Sequence, residues 1–329
     1  MTETKEINTG HTETPNNFVV EQDEAGQRLD AFLADRIEGW SRSRLQKLIE
    51  NEDVLVNEKA VKPSHKLREK DEIEVDLVEL PIARFEPENI PLDIVYEDEF
   101  LAVINKPAGM VVHPGAGVQS GTLANAIAFH FEFEQSAVGD QQSELRIGIV
   151  HRLDKDTSGL IVVAKNDEIH EALSGQFRER LVYKSYIALV HGSPDQNMGK
   201  IDAPIGRNKH NRLRMKVATH GRSAISLWKV RKRYDKFTLL DVEIKTGRTH
   251  QIRVHMGYIN HPVVGDEIYN EGRDNTVMDS YARNGIASMK RFFLHAEKLS
   301  FTHPKTGERL EFTQELAPEL KEFLDLIKT

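Results

Sequence analysis

Residues 149–165 read IVHRLDKDTSGLIVVAK, a polar turn running straight into an apolar strand. Leu160–Ala164 is rich in β-branched residues, and Thr157, Ser158 and Gly159 supply hydroxyls and backbone freedom just before it. Ahead of that turn Asp154 stands between Arg152 and Lys155, two cations suited to holding phosphate. A carboxylate presented at the mouth of a strand can serve as nucleophile or general base. Taken alone, an Asp before Thr-Ser-Gly is more often a turn or cap residue, so its neighbours must decide.

Outward from this strand the chain is dominated by short β-type segments. Ile94–Tyr96, Leu101–Asn105, Ile147–His151, Lys184–His191, Ser223–Tyr234 and Phe237–Ile244 read as strands, and Thr122–Phe129 and Ile169–Glu179 as helices. Strands that follow one another directly predict an α+β fold with a mixed, largely antiparallel sheet over residues 92–329, not a doubly wound parallel one. Two polar stretches, Glu134–Leu145 and Asn270–Ser288, read as surface loops or insertions, the second bordering a cleft.

The amino-terminal part is organised differently. Residues 1–17 are polar without an apolar period and are expected to be a disordered tail. Residues 18–80 form a small module: Leu29, Phe32, Leu33 and Ile37 repeat at helical spacing, and Ser41 can cap a second helix carrying Leu45, Leu48 and Ile49. Short strands Val54–Asn57 and Glu72–Leu77 follow. Arg42, Arg44 and Lys47 are offset from the apolar positions of the second helix, so they form either a solvated face or a grip for a phosphate backbone. Residues 81–91, with Pro81, Pro87 and Pro91, read as a linker.

Composition narrows the function. The chain has 329 residues, enough for two domains at roughly 100–200 residues each. With no apolar run of about 18 residues and a polar start, neither a membrane span nor a secretory signal is expected, which favours a cytoplasmic protein. Cysteine is absent, excluding disulfides and thiolate metal sites. The net charge of −8 argues against nucleic acid as a partner, but its distribution does not. Ala203–Tyr234 contains Arg207, Lys209, Arg212, Arg214, Lys216, Arg222, Lys229, Arg231, Lys232 and Arg233 and no acid, so a one-sided basic surface is expected.

HRLDKDTSG resembles the active-site motif of the RluA-type pseudouridine synthases. Three further blocks resemble the same family: NKPAGMVVHPG at 105–115, LVYKSYIALVHG at 181–192 and KTGRTHQIRVHMGYINHPVVGDEIY at 245–269. Four blocks over roughly residues 92 to 312 are far more specific than one short pattern. GQRLDAFLA, WSRSRLQKLI and VLVNEKAV in turn resemble the S4-like RNA-binding domain.

The resemblance implies isomerisation of uridine in RNA, with large-subunit ribosomal RNA the first candidate substrate and transfer RNA the second. The bond from uracil N1 to ribose C1′ breaks and C1′ rejoins the base at C5, with no cofactor consumed. Asp154 matches the family's catalytic aspartate, acting at C1′ as nucleophile or at C2′ as base. Arg253 matches the basic residue that pairs with it, with Arg248 as competitor for that role and otherwise an RNA contact. Tyr186 matches the tyrosine that stacks on the base and stands near C5, and Arg152 the arginine that fills the gap left by the flipped nucleotide. Lys106 is expected to contact phosphate or face solvent, and Thr249, His250 and His255 to support a loop.

Other readings fit less well. Asp154 and Asp156 suggest an aspartyl phosphotransferase, but the apolar strand leading into D-x-D is missing. His250/His255 and His151/Asp154 lack any metal-ligand grouping, so no metal is expected. A noncatalytic RNA-binding protein has no need of an acid beside RNA, which disfavours that reading given Asp154, Tyr186 and Arg253 together. A monomer is the default assembly.

Overall fold

The computed structural model describes residues 16–37, 40, 42–50, 53–76, 86–114, 118–131, 148–208, 214–219 and 221–328. The described residues fall into a smaller unit ending before Arg84 and a larger one starting after Phe85.

The smaller unit contains β1 (Asn16–Val19), α1 (Leu29–Arg36), α2 (Arg42–Glu50), β2 (Val54–Val56), β3 (Lys59–Ala60) and β4 (Glu72–Val75). Its antiparallel sheet has the order β1-β4-β2-β3. Asn57 and Glu58 both take positive φ, 50° and 62°, as a tight turn between twisted strands requires. Leu29, Phe32 and Leu33 of α1 and Leu45, Leu48 and Ile49 of α2 close over Val54, Val56, Ile73 and Val75. The ordered module starts earlier than the sequence suggests, because Asn16 and Asn17 pair with Val75 and Glu74. The expected tail is otherwise outside the described residues, as are Ser41, Leu77 and the linker up to residue 85.

Asp30 is fully buried in this unit and accepts hydrogen bonds from Arg28 (2.8 and 2.9 Å), Gln46 (2.6 Å) and Arg42 (3.1 Å). The Arg28 bond, opposed by burial and reinforced by Gln46 and Arg42, holds its carboxyl well below the usual carboxylate range. Arg42 therefore ties α2 to α1 while its side chain stays half exposed. The side chains of Arg44 and Lys47 lie outside what the structure describes.

The larger unit runs β5 (Ile94–Glu97), β6 (Leu101–Lys106), α3 (Leu123–His130), β7 (Ser158–Ala164), α4 (Asp167–Arg178), β8 (Tyr183–His191), β9 (Met198–Asp202), β10 (Ile205–Arg207), β11 (Met215–Val217), β12 (Ile225–Arg233), β13 (Phe237–Ile244), α5 (Gln251–Tyr258), α6 (Ser280–Met289), β14 (Leu294–Thr302), β15 (Arg309–Thr313) and α7 (Pro318–Leu326). Nine strands form one sheet in the order β5-β6-β7-β14-β8-β13-β12-β9, with β15 on β14. Every described pairing is antiparallel except β7 with β14, so the fold is α+β with a mixed, largely antiparallel sheet.

β7 is buried along its whole length. Ile161 and Val163 face the main core with α3, while Leu160 and Val162 face Ile169 and Leu173 of α4. Each such aliphatic side chain contributes about 1.5–3 kcal/mol of burial, which fixes the strand that carries the Asp154 turn. Gly159 takes φ +110°, and a Cβ there would lie 2.3 Å from the Ala296 carbonyl oxygen, so only glycine lets β7 approach β14.

Three expectations need correction. Residues 148–151 make only an isolated bridge, Ile149 to Val163, not a strand. Asn270–Ser288 is loop only in its first part: from Ser280 it forms α6, capped by Asp279, whose Ala282 and Ile286 are buried in the core with Phe323 of α7. The basic run is partly occupied internally, since Arg231 bonds Asp241 and Glu297 and Arg233 bonds Ser193, Asn197 and the Pro194 carbonyl. Lys209 and Arg212 lie outside the described residues. No helix among the described residues is long and apolar enough to cross a membrane.

Candidate active site

Asp154 sits in the turn before β7, where the Thr157 N–H donates to its carbonyl. The turn is anchored from beneath. Lys106, at the end of β6, is fully buried and its Nζ donates to the carbonyls of Pro107 (2.7 Å), Met110 (2.8 Å) and Lys155 (3.0 Å). The Gly109 N–H also donates to the Lys155 carbonyl at 2.9 Å. Lys106 is thus a brace between the NKPAG turn and the Asp154 turn, which corrects the expected phosphate contact. Burial, then the Arg291 charge, pulls its pKa down to about 7.

Arg253 lies on α5 and is nearly sealed from solvent. Its Nη1 donates to Asp154 Oδ2 at 3.2 Å, while Nε and Nη2 form a fork onto Asp266 at 2.7 and 2.9 Å. The guanidinium carbon sits 4.1 Å from the Phe292 ring centre and 5.1 Å from that of Tyr269. Burial opposes its charge, but the Asp266 and Asp154 carboxylates outweigh burial and raise its pKa above the ordinary value. Asp266, fully buried, also accepts from the Ile268 and Tyr269 N–H groups. Arg248 is elsewhere engaged, with Nε on the Ser223 carbonyl at 3.1 Å.

α5 itself is pinned by Gln251, which accepts from Thr246 and the Arg248 N–H and donates to the Ile225 carbonyl and Ser226. His255 is fully buried, with its ring nitrogens 2.9 Å from the Ser226 hydroxyl and 3.0 Å from the Ala203 carbonyl, and it lies in a helix, not in the loop the sequence suggested. His250 caps the helix at φ 57° and its Nδ1 lies 2.8 Å from the Tyr269 hydroxyl.

Tyr186 reaches the site from β8, pairing with Val242 and Ala296 in the sheet. Burial, and then the charge of Asp154, pushes its phenol far above the ordinary tyrosine range, so it stays protonated. Two adjoining depressions meet at these groups. One is a cleft of about 590 Å³ bordered by Arg152, Asp154, Lys155, His250, Arg253 and Lys290. The other, about 60 Å³, is bordered by Tyr186, Thr157, Arg248 and Leu294 and shares Arg152, Asp154, His250 and Arg253 with the first. Arg152 is exposed at their common rim.

The structure therefore brings Asp154, Arg253, Tyr186 and Arg152 together, puts Arg248 at the margin, and removes Lys106 from solvent. Sequence reasoning missed Asp266, whose only signal was its place in HPVVGD, and the placement of Lys290 after α6. Among the described residues no group of three or more His, Asp or Glu is arranged to hold a metal ion.

An acid clamped by a guanidinium, beside a protonated phenol and under a cationic rim, defines a site for acid–base or covalent chemistry on a substrate carrying phosphates. Comparison with known proteins specifies it. A model of the RNA pseudouridylate synthase family matches residues 100–258 and one of the S4 domain residues 27–73. An uncharacterised RNA pseudouridine synthase of Bacillus subtilis is 40% identical over 312 residues, 95% of this chain and 98% of its own length. The ribosomal large subunit pseudouridine synthase D of Xanthomonas campestris is 39% identical over 316 residues, covering 94% and 92%. The solved human RNA pseudouridylate synthase domain containing 1 is 26% identical with a TM-score of 0.54, over 72% of this chain and 89% of that one. The chain belongs to the RNA pseudouridine synthase family and is an isomerase with an amino-terminal S4 domain.

Proposed function

We propose that this enzyme isomerises uridine in large-subunit ribosomal RNA, with Asp154 acting at the ribose of an extruded nucleotide. The observation that carries the reading is the 3.2 Å bond from Arg253 to Asp154 inside a cleft that Tyr186 also borders. Arg253 fixes the carboxylate, which attacks C1′ or takes the C2′ proton as the N1–C1′ bond breaks. The freed uracil turns against the Tyr186 ring and C5 bonds to C1′, which releases the carboxylate from C1′ on the first route or returns the proton to C2′ on the second; the C5 proton then leaves and N1 gains one. Because burial and the Asp154 charge keep the phenol protonated, Tyr186 serves as stacking surface and proton relay, not as a resting base. Arg152, exposed at the rim, stacks in the gap left by the nucleotide. The S4 domain supplies sequence-independent grip on the RNA. The ribosomal substrate rests on the relatives named for it.

The test has two arms. Purified Asp154→Asn is expected to bind transcript as the wild type does and to yield no pseudouridine after nuclease digestion; undiminished product would sink the assignment. Mapping pseudouridine in RNA from cells lacking the protein should show a loss confined to large-subunit ribosomal RNA. Loss in transfer RNA would overturn the substrate while leaving the chemistry standing.

A further inference from the structure

His250 is held in the cleft by a relay that the isomerase chemistry above does not use. The Met215 N–H donates to the Tyr269 hydroxyl at 2.8 Å, which occupies one lone pair of that oxygen. His250 Nδ1 lies at the same 2.8 Å from that oxygen, and with Nδ1 unprotonated the phenol proton is donated to it. An imidazole accepting at Nδ1 carries its proton on Nε2. His250 borders both depressions, and Asp154 borders both as well, so the ring stands beside the space in which the carboxylate lies. Its position is rigid on two counts: the backbone is left-handed at φ 57°, and the ring stands edge-on to Tyr269 with centres 5.7 Å apart. Burial lowers its pKa and favours the neutral form, with Asp154 and Asp266 pulling the other way and Arg253 and Arg152 assisting burial.

We infer that His250 is a catalytic residue that donates its Nε2–H to a carbonyl oxygen of the extruded uracil, through a tautomer set by the Tyr269 hydroxyl. A neutral donor suits a neutral carbonyl, whereas the phosphates are met by the exposed cations at the rim. Such a bond selects a pyrimidine-dione and holds it while it is detached from the sugar. The inference rests on the proposed chemistry.

The test is a cycle between enzyme and substrate. RNA carrying uridine, 2-thiouridine or 4-thiouridine at the target position is turned over by the wild type and by His250→Ala, sulfur being a poor acceptor. His250→Ala is expected to lower kcat/KM on uridine RNA roughly 10–100-fold. One of the two sulfur analogues should cost the wild type about tenfold and the Ala variant less than about twofold. His250→Gln, whose amide nitrogen reaches the Nε2 position, should recover most of the loss, and His250→Asn, which tolerates the left-handed backbone but stops short, should not. Each penalty is a ratio within one protein, so a partly unfolded fraction cancels. Equal analogue penalties in both proteins, coupling to 2′-deoxyuridine in place of the sulfur analogues, or unchanged kcat/KM in His250→Ala would overturn the inference. Wild type that makes no pseudouridine at all would instead sink the proposed function.

Discussion

Replacing Arg253 separates structure from chemistry, because one guanidinium serves two acids with different needs. Asp266 is fully buried, so Arg253→Met leaves an uncompensated carboxylate in the core. Breaking a buried pair by removing one partner costs about 3–5 kcal/mol. The two backbone N–H groups that Asp266 retains place the expected loss near the lower end, about 3 kcal/mol. At about 2–4 °C per kcal/mol the melting transition should fall by roughly 6–12 °C. Adding Asp266→Asn removes the stranded charge and should restore about 2 kcal/mol, a coupling that a denaturant-unfolding cycle resolves. Activity should not return with it, since Asp154 still lacks its partner. Recovery of both stability and pseudouridine formation in the double variant would show that Arg253 is a structural residue only, and a single-variant loss below about 1 kcal/mol would refute the buried pairing itself.

Other perturbations follow from the same geometry. Gly159→Ala forces a Cβ against the Ala296 carbonyl at a φ that side chains avoid, and should destabilise by about 2–4 kcal/mol in chemical denaturation. Lys106→Met removes the donor shared by the carbonyls of Pro107, Met110 and Lys155 and loosens the Asp154 turn, so kcat should fall at least tenfold while KM for RNA changes little; a fall matched by the unfolded fraction in a melt would instead point to general unfolding. Acid should unfold the larger unit early. Burial depresses His151 to about 3 and His295 to about 4, so the unfolded chain binds more protons between the ordinary histidine pKa and those values. Their stabilisation is complete above about pH 6.5 and declines as pH falls, by about 2–3 kcal/mol per histidine near pH 4.5, and His151→Gln should flatten that slope in a pH series of melts.

What could be read from the chain follows from where each signal resides. The β7 turn and Tyr186 lie on strands whose β-branched composition is local, so their elements are legible, and Asp154 could be singled out from its flanking charges and the four motif blocks together. α5 is different. HQIRVHM alternates polar and apolar residues, a period that suits a strand, yet it forms a helix buried from Gln251 to Met256 because its polar side chains bond to Ser226, Ala203, Asp154 and Asp266. Periodicity assumes that polar means exposed, and here that assumption fails. Lys106 misled for the same reason: lysine is almost never fully buried, and the carbonyls that hold it come partly from residue 155, far along the chain. α6 was hidden by a polar segment whose apolar residues are few but placed against α7.

These failures share a location, and that has a mechanistic meaning. Arg253 is committed by two bonds to Asp266, an acid that no solvent reaches, and by its stacking on Phe292, so its remaining Nη1 points in one fixed direction. Asp154, by contrast, rides on a turn held from below by Lys106. The guanidinium is therefore the immobile reference and the carboxylate the group aligned to it, which is the order that preorganised catalysis requires. Buried polar groups that look misplaced by the rules of local sequence are the parts that set this alignment, and their bonds to distant residues explain both why the site is rigid and why it could not be read from neighbouring residues alone.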